Sequence, residues 1–302
     1  MVVEVPAGLR AGLAGVDPST GPWLDRLPDL TAQFLDRWRL RTDGRPMHGV
    51  CAMVLPVRTT DDVPAALKLS WPHAEARDEH LALGVWAGDG SVRLLDAAPD
   101  AYVVLLERLN AARDLSAVPL DEALRCAGGL LRRLGVKTDL PFVGVDERAR
   151  DWAVELAAAG RRPPSGVPAP VLDRASALLD DLVDGVRPVL LHTDLHYENV
   201  LAGDREPWLA IDPKPLLGDP AYEVAPLLWN RWDEASSSGD IAVHLRWRAD
   251  VVTEAAGLEQ ALVAGWVVVR EAVEALDATG EDDAEWRDMS VAIAEAFLTR
   301  LP

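Results

Sequence analysis

The segment HTDLHYENVL, residues 192–201, crowds polar side chains between two apolar, strand-like runs. Burying such groups without partners is costly, so their clustering indicates chemistry more than packing. Two chemistries fit the residue types: a metal site built on His-x-Asp-x-His, and a phosphoryl-transfer loop built on an aspartate and an asparagine. The polar residues concerned are His192, Asp194, His196, Glu198 and Asn199.

Phosphoryl transfer requires an acceptor hydroxyl placed in line with the γ-phosphate and a metal ion that neutralises charge. One form of this site uses Asp-x-x-x-x-Asn in a loop, followed by an aspartate at the end of the next strand. Asp194 and Asn199 have this spacing, and Asp212 closes the strand-like WLAID. We expect Asp194 to accept or orient the hydroxyl proton, with His192 supporting the loop. Asn199 and Asp212 offer the oxygen ligands that Mg²⁺ prefers.

The zinc alternative uses the alternation of His192, Asp194 and His196, which places them on one side of an extended strand. The other histidines show no paired spacing, and this alternative leaves Asn199 and Asp212 without a role. The sequence therefore favours phosphoryl transfer over zinc.

The phosphoryl-transfer hypothesis demands a lysine on an upstream strand and a glutamate on the following helix to hold it. Only three of the 30 basic Lys and Arg residues are lysines, and Lys68 lies in the strand-like AALKLSW. Glu75 and Glu79 follow, one turn apart on a predicted helix. We predict that Lys68 contacts the nucleotide phosphates with Glu79 behind it, because Glu79 lies deeper in that helix.

Two further nucleotide contacts are predicted in the first third. A phosphate-covering loop is expected around Gly49, although a lone glycine does not match G-x-G-x-x-G. The backbone from Glu107 to Leu109 is expected to hydrogen-bond an adenine; a buried strand leading to a linker explains the side chains equally well.

Beyond the loop, Asp219 precedes Pro220, which predicts an N-cap with proline at the first helical position. Asp219 is also a candidate brace for residues 192–196. Glu223, Trp229 and Asn230 are candidates to face an acceptor, and each is equally compatible with an ordinary packing or surface position.

Strand-like patterns dominate before residue 110 and helical patterns after it. Strands are predicted at 38–41, 50–57, 63–69, 91–97 and 101–109, with a helix over 74–85. Loops are predicted at 161–170 and 236–240, and helices at 241–256, 258–276 and 284–300. The pattern predicts an α+β chain with a strand-rich nucleotide-binding lobe, residues 1–107, and a helical lobe, residues 108–302, that holds the catalytic loop and the acceptor site.

Composition narrows the function classes. The net charge of −19 argues against a nucleic-acid partner and is compatible with a cationic one. The apolar runs are too short to span a membrane, the N-terminal residues do not resemble a secretory signal, and two cysteines cannot form a disulfide framework. We therefore expect a cytoplasmic protein.

HTDLHYENVL followed by AIDPKPLLGDPAYEVAPLLWNRWDE resembles the aminoglycoside/hydroxyurea phosphotransferase family, as do WRLRTDGRPMHG, AALKLSWPHAEARDEHLAL and LLERL upstream. The resemblance implies a bilobal protein-kinase-like fold with an ATP site between the lobes. It implies the same roles for Asp194, Asn199, Asp212, Lys68 and Glu79, and an acceptor pocket in the C-terminal helices. There Glu271 and Glu274 are candidates for a cationic group of the acceptor, against the alternative of a solvated helix face.

The resulting hypothesis is an ATP- and Mg²⁺-dependent O-phosphotransferase acting on a small molecule, with a streptomycin-type aminoglycoside as the leading acceptor. A kinase of another small metabolite and a nucleotide-binding regulator without turnover stay open as alternatives. The sequence does not indicate an oligomeric state.

Overall fold

The computed structural model describes residues 3–184, 188–278, 280 and 283–301. The chain divides into two compact units, Met1–Asn110 with Gly203–Pro207, and Ala111–Ala202 with Trp208–Pro302. The five-residue segment Gly203–Pro207 is thus grouped with the first unit although it lies far along the sequence. Of the two apolar, strand-like runs that flank the polar segment 192–201, the one before it, at 186–191, lies partly outside the described residues.

The first unit is built on an antiparallel sheet in the order β1-β3-β4-β6-β5, with β2 paired to β3. In its central strand β4, Ala65, Leu67 and Leu69 recur at every second residue and are fully buried, so that one face of the sheet packs into the core. The strands are β1 Arg41–Thr42, β2 Met47–His48, β3 Ala52–Arg58, β4 Pro64–Ser70, β5 Leu94–Ala98 and β6 Val103–Glu107.

Two helices precede this sheet, α1 at Ala7–Gly12 and α2 at Thr20–Arg37, where the sequence indicated mainly strands. The buried face of α2 recurs with helical spacing, and Pro28 inside it weakened the local helix signal. The strand predicted at 38–41 is wrong, because Trp38 caps α2 and Arg39 has a positive φ of 51°. The predicted helix over 74–85 is shorter: α3 covers Glu79–Trp86, after a 3-10 turn at Ala74–Ala76.

The second unit is mainly helical and carries the short strands that flank the polar loop. Strands β10, β9 and β7 form a small sheet in that order, with β9 and β10 antiparallel, and β8 pairs with β11 in antiparallel fashion. The strands are β7 Asn110–Asp114, β8 Val189–Leu191, β9 Val200–Ala202, β10 Leu209–Ala210 and β11 Leu216–Gly218. The helices are α4 Leu120–Leu134, α5 Val145–Arg161, α6 Ala169–Val183, α7 Pro226–Trp229, α8 Trp232–Ser236, α9 Ile241–Ala256, α10 Gln260–Asp277 and α11 Ala284–Leu298.

The predicted α+β class, with a strand-rich first part and a mainly helical remainder, is confirmed. Both predicted loops are present between helices but are shorter than the predicted 161–170 and 236–240, covering 162–168 and 237–240. Across the described ranges, none of the helices combines the length and the apolar composition that crossing a bilayer requires.

Candidate active site

In the first unit, Lys68 forms a buried ion pair with Glu79. The Lys68 ammonium donates to both carboxylate oxygens, at 2.7 and 2.8 Å, and both side chains are less than a tenth exposed. Lys68 sits on β4, between β3 and β6. Glu79 is the first residue of α3 and not deeper in a helix as expected, while Glu75 is exposed. The ion pair is present, and the phosphate contact of Lys68 stays a prediction.

The other predicted nucleotide contacts lie on the same unit. Gly49 lies between β2 and β3, where its N–H donates to the Ala52 carbonyl at 3.0 Å and a side chain would meet open space. The Glu107 N–H donates to the Arg93 carbonyl at 3.0 Å. The Glu107 amide is therefore already engaged, and the adenine contact of the backbone from Glu107 to Leu109 stays a prediction.

The Glu107 side chain is engaged as well. Its carboxylate accepts bonds from the Arg205 guanidinium, the shortest at 2.7 Å, and Arg205 also donates to the Ser91 carbonyl at 2.6 Å. Arg205 belongs to the turn Gly203–Pro207, so these bonds give a physical reason for grouping that turn with the first unit. No spacing in the sequence signals this contact, because the partners are 98 residues apart.

In the second unit, the loop 192–199 is held at both ends by short strands. β8 leads into it and pairs with β11, and β9 follows it and pairs with β10. Between them Leu195 and Tyr197 are fully buried, and the Tyr197 hydroxyl donates to the Leu227 carbonyl at 3.0 Å. This anchoring leaves Asp194 and His196 partly exposed between buried neighbours.

His192 supports the loop from a fully buried position. Its Nε2 lies 2.9 Å from the Ile211 carbonyl, and its Nδ1 accepts the Asp194 N–H at 3.4 Å, which together require the neutral Nε2–H tautomer. Burial lowers the pKa of His192 to about 3. Both ring nitrogens are engaged by the backbone, which is incompatible with a zinc-ligand role in this conformation.

Thr193 holds the unusual backbone conformation that turns the chain before Asp194, with a φ of +61°. This region is unfavourable for a β-branched residue, so the surroundings must hold it there. The Glu223 carboxylate accepts the N–H of His192 at 2.5 Å and that of Thr193 at 2.8 Å. Arg270 donates to the Thr193 carbonyl at 2.9 Å, and the Thr193 hydroxyl donates to the Lys214 carbonyl at 2.5 Å.

Glu223 was predicted as an acceptor-facing residue, but it is buried and both its oxygens bind the loop backbone. Burial raises its pKa to about 7, against the lowering effect of the two N–H bonds and of Arg270. The geometry therefore favours a positioning role. Asp219 caps the following turn as predicted, accepting the Ala221 N–H at 2.8 Å. The predicted role of Asp219 as a brace for residues 192–196 stays a prediction. The hydrogen bonds to the backbone N–H groups of His192 and Thr193 come from Glu223.

The three residues predicted for catalysis and metal binding are brought together around this loop. The Asn199 amide nitrogen donates to the Asp194 carboxylate at 3.1 Å and to its carbonyl at 2.9 Å. Ile211 donates to the Asn199 carbonyl at 2.9 Å, which continues the β9–β10 pairing and places Asp212 beside Asn199. Asp212 has a φ of +56°, so the chain turns sharply there.

The electrostatic setting of Asp194 suits a proton acceptor. Burial raises the pKa of its carboxyl, while Lys214 and His196 act in the opposite direction. The Lys214 ammonium lies 3.8 Å from Asp194 Oδ2, and His196 Nε2 lies 3.9 Å from Asp194 Oδ1. A carboxylate with a raised pKa is the stronger base, provided that neighbouring positive charge keeps it ionised.

The donors at this loop fit Mg²⁺ better than zinc. Asn199 uses its amide nitrogen on Asp194, which leaves the amide oxygen for a ligand, and Asp212 adds a carboxylate. Mg²⁺ is commonly held by one or two such groups together with substrate phosphates. Within the described ranges, no group of three or more His, Cys, Asp or Glu side chains could hold a metal ion. The zinc alternative loses its geometric basis because both ring nitrogens of His192 are engaged by the backbone.

The remaining acceptor candidates cluster where α7 meets α10. Trp229 is partly exposed, and its indole N–H donates to Glu271 at 2.5 Å. Glu271 is fully buried, which excludes a solvated helix face, and burial raises its pKa well above the ordinary range. The Asn230 side chain accepts the Tyr197 N–H at 3.4 Å, so it also contacts the loop. Trp286 packs edge-on against Trp229, with 5.2 Å between ring centroids.

Sequence reasoning did not identify Arg270 as a loop residue. Its guanidinium donates to the carbonyls of Thr193 and Tyr222 and lies over the rings of Tyr222 and Trp229, 4.5 and 4.9 Å from their centroids. The only available signal was a charged pair, Arg270 and Glu271, inside the otherwise apolar VVVREAV. Two adjacent charges on a helix that must pack are a hint of buried polar contacts.

Comparison with known proteins adds an independent line of evidence. The model of the aminoglycoside/hydroxyurea antibiotic resistance kinase family matches residues 37–281. A streptomycin 6-kinase of Streptomyces glaucescens is 38% identical over 299 residues, covering 98% of this chain and 97% of the relative. A hydroxyurea phosphotransferase of Kitasatospora aureofaciens is 39% identical over 311 residues, covering 99% and 87%.

The fold is similar to that of solved phosphotransferases. The crystal structure of a macrolide 2'-phosphotransferase from Brachybacterium faecium superposes with a TM-score of 0.54 at 17% identity, covering 89% of this chain and 97% of that one. At this identity the likeness concerns the fold alone. It agrees with the protein-kinase-like architecture expected from the sequence.

Proposed function

Because the chain belongs to the aminoglycoside/hydroxyurea antibiotic resistance kinase family and is a small-molecule O-phosphotransferase, we propose that it phosphorylates and inactivates a streptomycin-type aminoglycoside. The phosphoryl donor in this proposal is ATP, used together with Mg²⁺. The observation that carries it is the convergence of Asp194, Asn199 and Asp212 around one loop, in the order and spacing that phosphoryl transfer needs.

Each residue has a defined part in the proposed reaction. The Asp194 carboxylate accepts the proton of the attacking hydroxyl, and its raised pKa suits that task. The Asn199 oxygen and the Asp212 carboxylate would hold Mg²⁺, which when bound neutralises charge on the phosphate oxygens. Lys68, fixed by Glu79, contacts the phosphates of the nucleotide. Glu223 and Arg270 position Asp194 by holding the backbone of His192 and Thr193.

Two observations support a cationic acceptor. The net charge of −19 attracts cations over a distance, and the streptomycin 6-kinase relative covers nearly the whole chain. Trp229 at the carboxyl end of α7 and Trp286 on α11 are partly exposed and in contact, and we propose that they form part of the acceptor wall. Aromatic faces attract guanidinium and ammonium groups. Glu271 lies behind Trp229 and supports the indole without touching the acceptor.

Hydroxyurea is the second candidate acceptor, because the hydroxyurea phosphotransferase relative is as similar as the streptomycin 6-kinases. Hydroxyurea is small and uncharged and would gain little from the acidic surface. We place the reaction in the cytoplasm, where ATP is supplied and where a chain with two free cysteines is stable without disulfides.

An acceptor panel assayed for ADP release tests the proposal. We expect turnover with ATP, Mg²⁺ and streptomycin, and little or none with hydroxyurea or neutral sugars. Asp194→Asn keeps the shape of the side chain but removes the base, and it should lower kcat by about 10²–10⁴-fold while ATP binding is retained. If hydroxyurea is the one compound of the panel that is phosphorylated, it replaces streptomycin as the proposed acceptor. Nucleotide binding without turnover on any acceptor would favour a regulator, and full activity of Asp194→Asn would refute the assigned base.

A further inference from the structure

The ammonium of Lys214 lies between the two carboxylates of the candidate site. It is 2.9 Å from Asp212 Oδ2 and 3.8 Å from Asp194 Oδ2, and it donates to the Asp212 carbonyl at 3.4 Å. The side chain is 21% exposed, so solvent or a ligand can still reach it. Lys214 is one of only three lysines in a chain whose other 27 basic residues, 30 minus 3, are arginines. A compact ammonium has therefore been placed where arginine is the usual cation.

The backbone of Lys214 is fixed by the loop that carries Asp194. Its N–H donates to the His192 carbonyl at 2.9 Å, and its carbonyl accepts the Thr193 hydroxyl at 2.5 Å. Pro213 and Pro215 on either side restrict the backbone further. A lysine held only for solubility would not need such anchoring. The backbone of Lys214 is thus fixed beside the loop, at a position from which its ammonium reaches Asp194.

This position is suited to a phosphoryl group. If Asp194 accepts the proton of the attacking hydroxyl, the hydroxyl oxygen lies beside the Asp194 carboxylate. The γ-phosphorus that this oxygen attacks then lies one bond beyond it. The equatorial oxygens of the transferred group then come within reach of an ammonium held beside Asp194. Phosphoryl transfer depends on positive charge at those oxygens, and the three ammonium hydrogens allow a phosphate contact in addition to a carboxylate contact.

Building on the proposed function, we propose that Lys214 is a catalytic residue whose ammonium contacts the transferring γ-phosphoryl group. In the reaction a bond forms between the acceptor oxygen and the γ-phosphorus. The bond from that phosphorus to the β–γ bridging oxygen breaks, and its electron pair stays on the ADP product. The hydroxyl proton passes to Asp194. Lys214 keeps its protons throughout and stabilises charge on the equatorial oxygens.

A competing explanation is that Lys214 only keeps Asp194 and Asp212 in place. The two roles differ in which nucleotide they affect. Loss of a γ-phosphoryl contact lowers the affinity for ATP and leaves that for ADP unchanged. A misplaced Asp212 would instead lower the affinity for the Mg²⁺ complexes of both nucleotides.

Calorimetric titration with Mg²⁺ and either ADP or the non-hydrolysable analogue β,γ-imido-ATP separates them. For Lys214→Met we expect affinity for the analogue to fall about tenfold, with ADP affinity within about twofold of wild type. With any acceptor that the wild type phosphorylates, kcat should fall by about 10²–10³-fold, as when one transition-state donor is removed. Lys214→Arg should recover part of both losses. Lys137→Met, at an exposed lysine, is the matched control and should change neither.

Equal losses for ADP and the analogue, or an unchanged kcat, would overturn the proposal. Lys214→Gln, which is neutral and polar, repeats the comparison if Lys214→Met unfolds, and melting curves identify that case. The nucleotide titrations need no acceptor, so a wrong acceptor would not disturb them. A wild type that binds no nucleotide would remove the proposed function and this inference together.

Discussion

The buried imidazole of His192 should make the protein sensitive to mild acid. An ordinary histidine has a pKa of 6.5, and burial lowers that of His192 to about 3. Below pH 6.5 the unfolded chain takes up a proton that the native protein excludes, so stability is present above that pH and is lost as the pH falls. Between pH 7 and pH 5 this linkage removes about 2 kcal/mol from the free energy of unfolding.

The variant His192→Gln isolates this contribution, because its amide can still donate to the Ile211 carbonyl but does not titrate in this range. The melting temperature of the wild type, measured relative to the variant, should fall by about 3 °C between pH 7 and pH 5, because the unfolding entropy of a 302-residue chain is large. His48→Gln, at an exposed histidine, is the control for loss of an imidazole as such. Parallel melting-temperature losses in wild type and His192→Gln would show that His192 is not held neutral, and the reasoning from its burial would fail.

Three other changes test the remaining buried groups. Glu79→Gln leaves the buried Lys68 ammonium without its carboxylate partner, and it should lower the free energy of unfolding by about 3 kcal/mol, as measured by thermal unfolding. The same change should raise the KM for ATP more than the KM for the acceptor. An unchanged melting temperature would contradict this prediction. Glu271→Gln should raise the melting temperature at neutral pH, because burial raises the pKa of Glu271, so that its carboxyl group is disfavoured as a charged group in the native protein but ionised in the unfolded chain. The gain in melting temperature should vanish as the pH falls into the ordinary carboxyl range, where the unfolded chain is neutral at this residue as well. A gain that does not depend on pH would contradict this explanation. Arg270→Lys loses the paired hydrogen bonds to the carbonyls of Tyr222 and Thr193. In steady-state assays it should lower kcat about tenfold and leave KM nearly unchanged. A change in KM alone would show that Arg270 acts in substrate binding instead.

The sequence alone was enough to predict the fold class and the central chemistry. Asn199 precedes β9 and Asp212 follows its antiparallel partner β10, and Asp194 lies only five residues before Asn199, so the spacing of the three largely determines that they meet. Lys68 and Glu79 are separated by only 11 residues, a strand end and a turn. Local patterns failed where one signal opposed another, as in α2, whose internal Pro28 obscured a helical period.

The tertiary structure alone decided which residues support that chemistry. Glu223 reaches the His192 amide across 31 residues and Arg270 reaches the Thr193 carbonyl across 77, and Glu271 is buried where its helix face could have been solvated. Lys214 stands in the family-like segment IDPKP, but only the folded chain places its ammonium between two carboxylates. Contacts of this kind depend on how distant helices and turns pack. The short-range spacing of residues in a single sequence therefore does not predict these contacts.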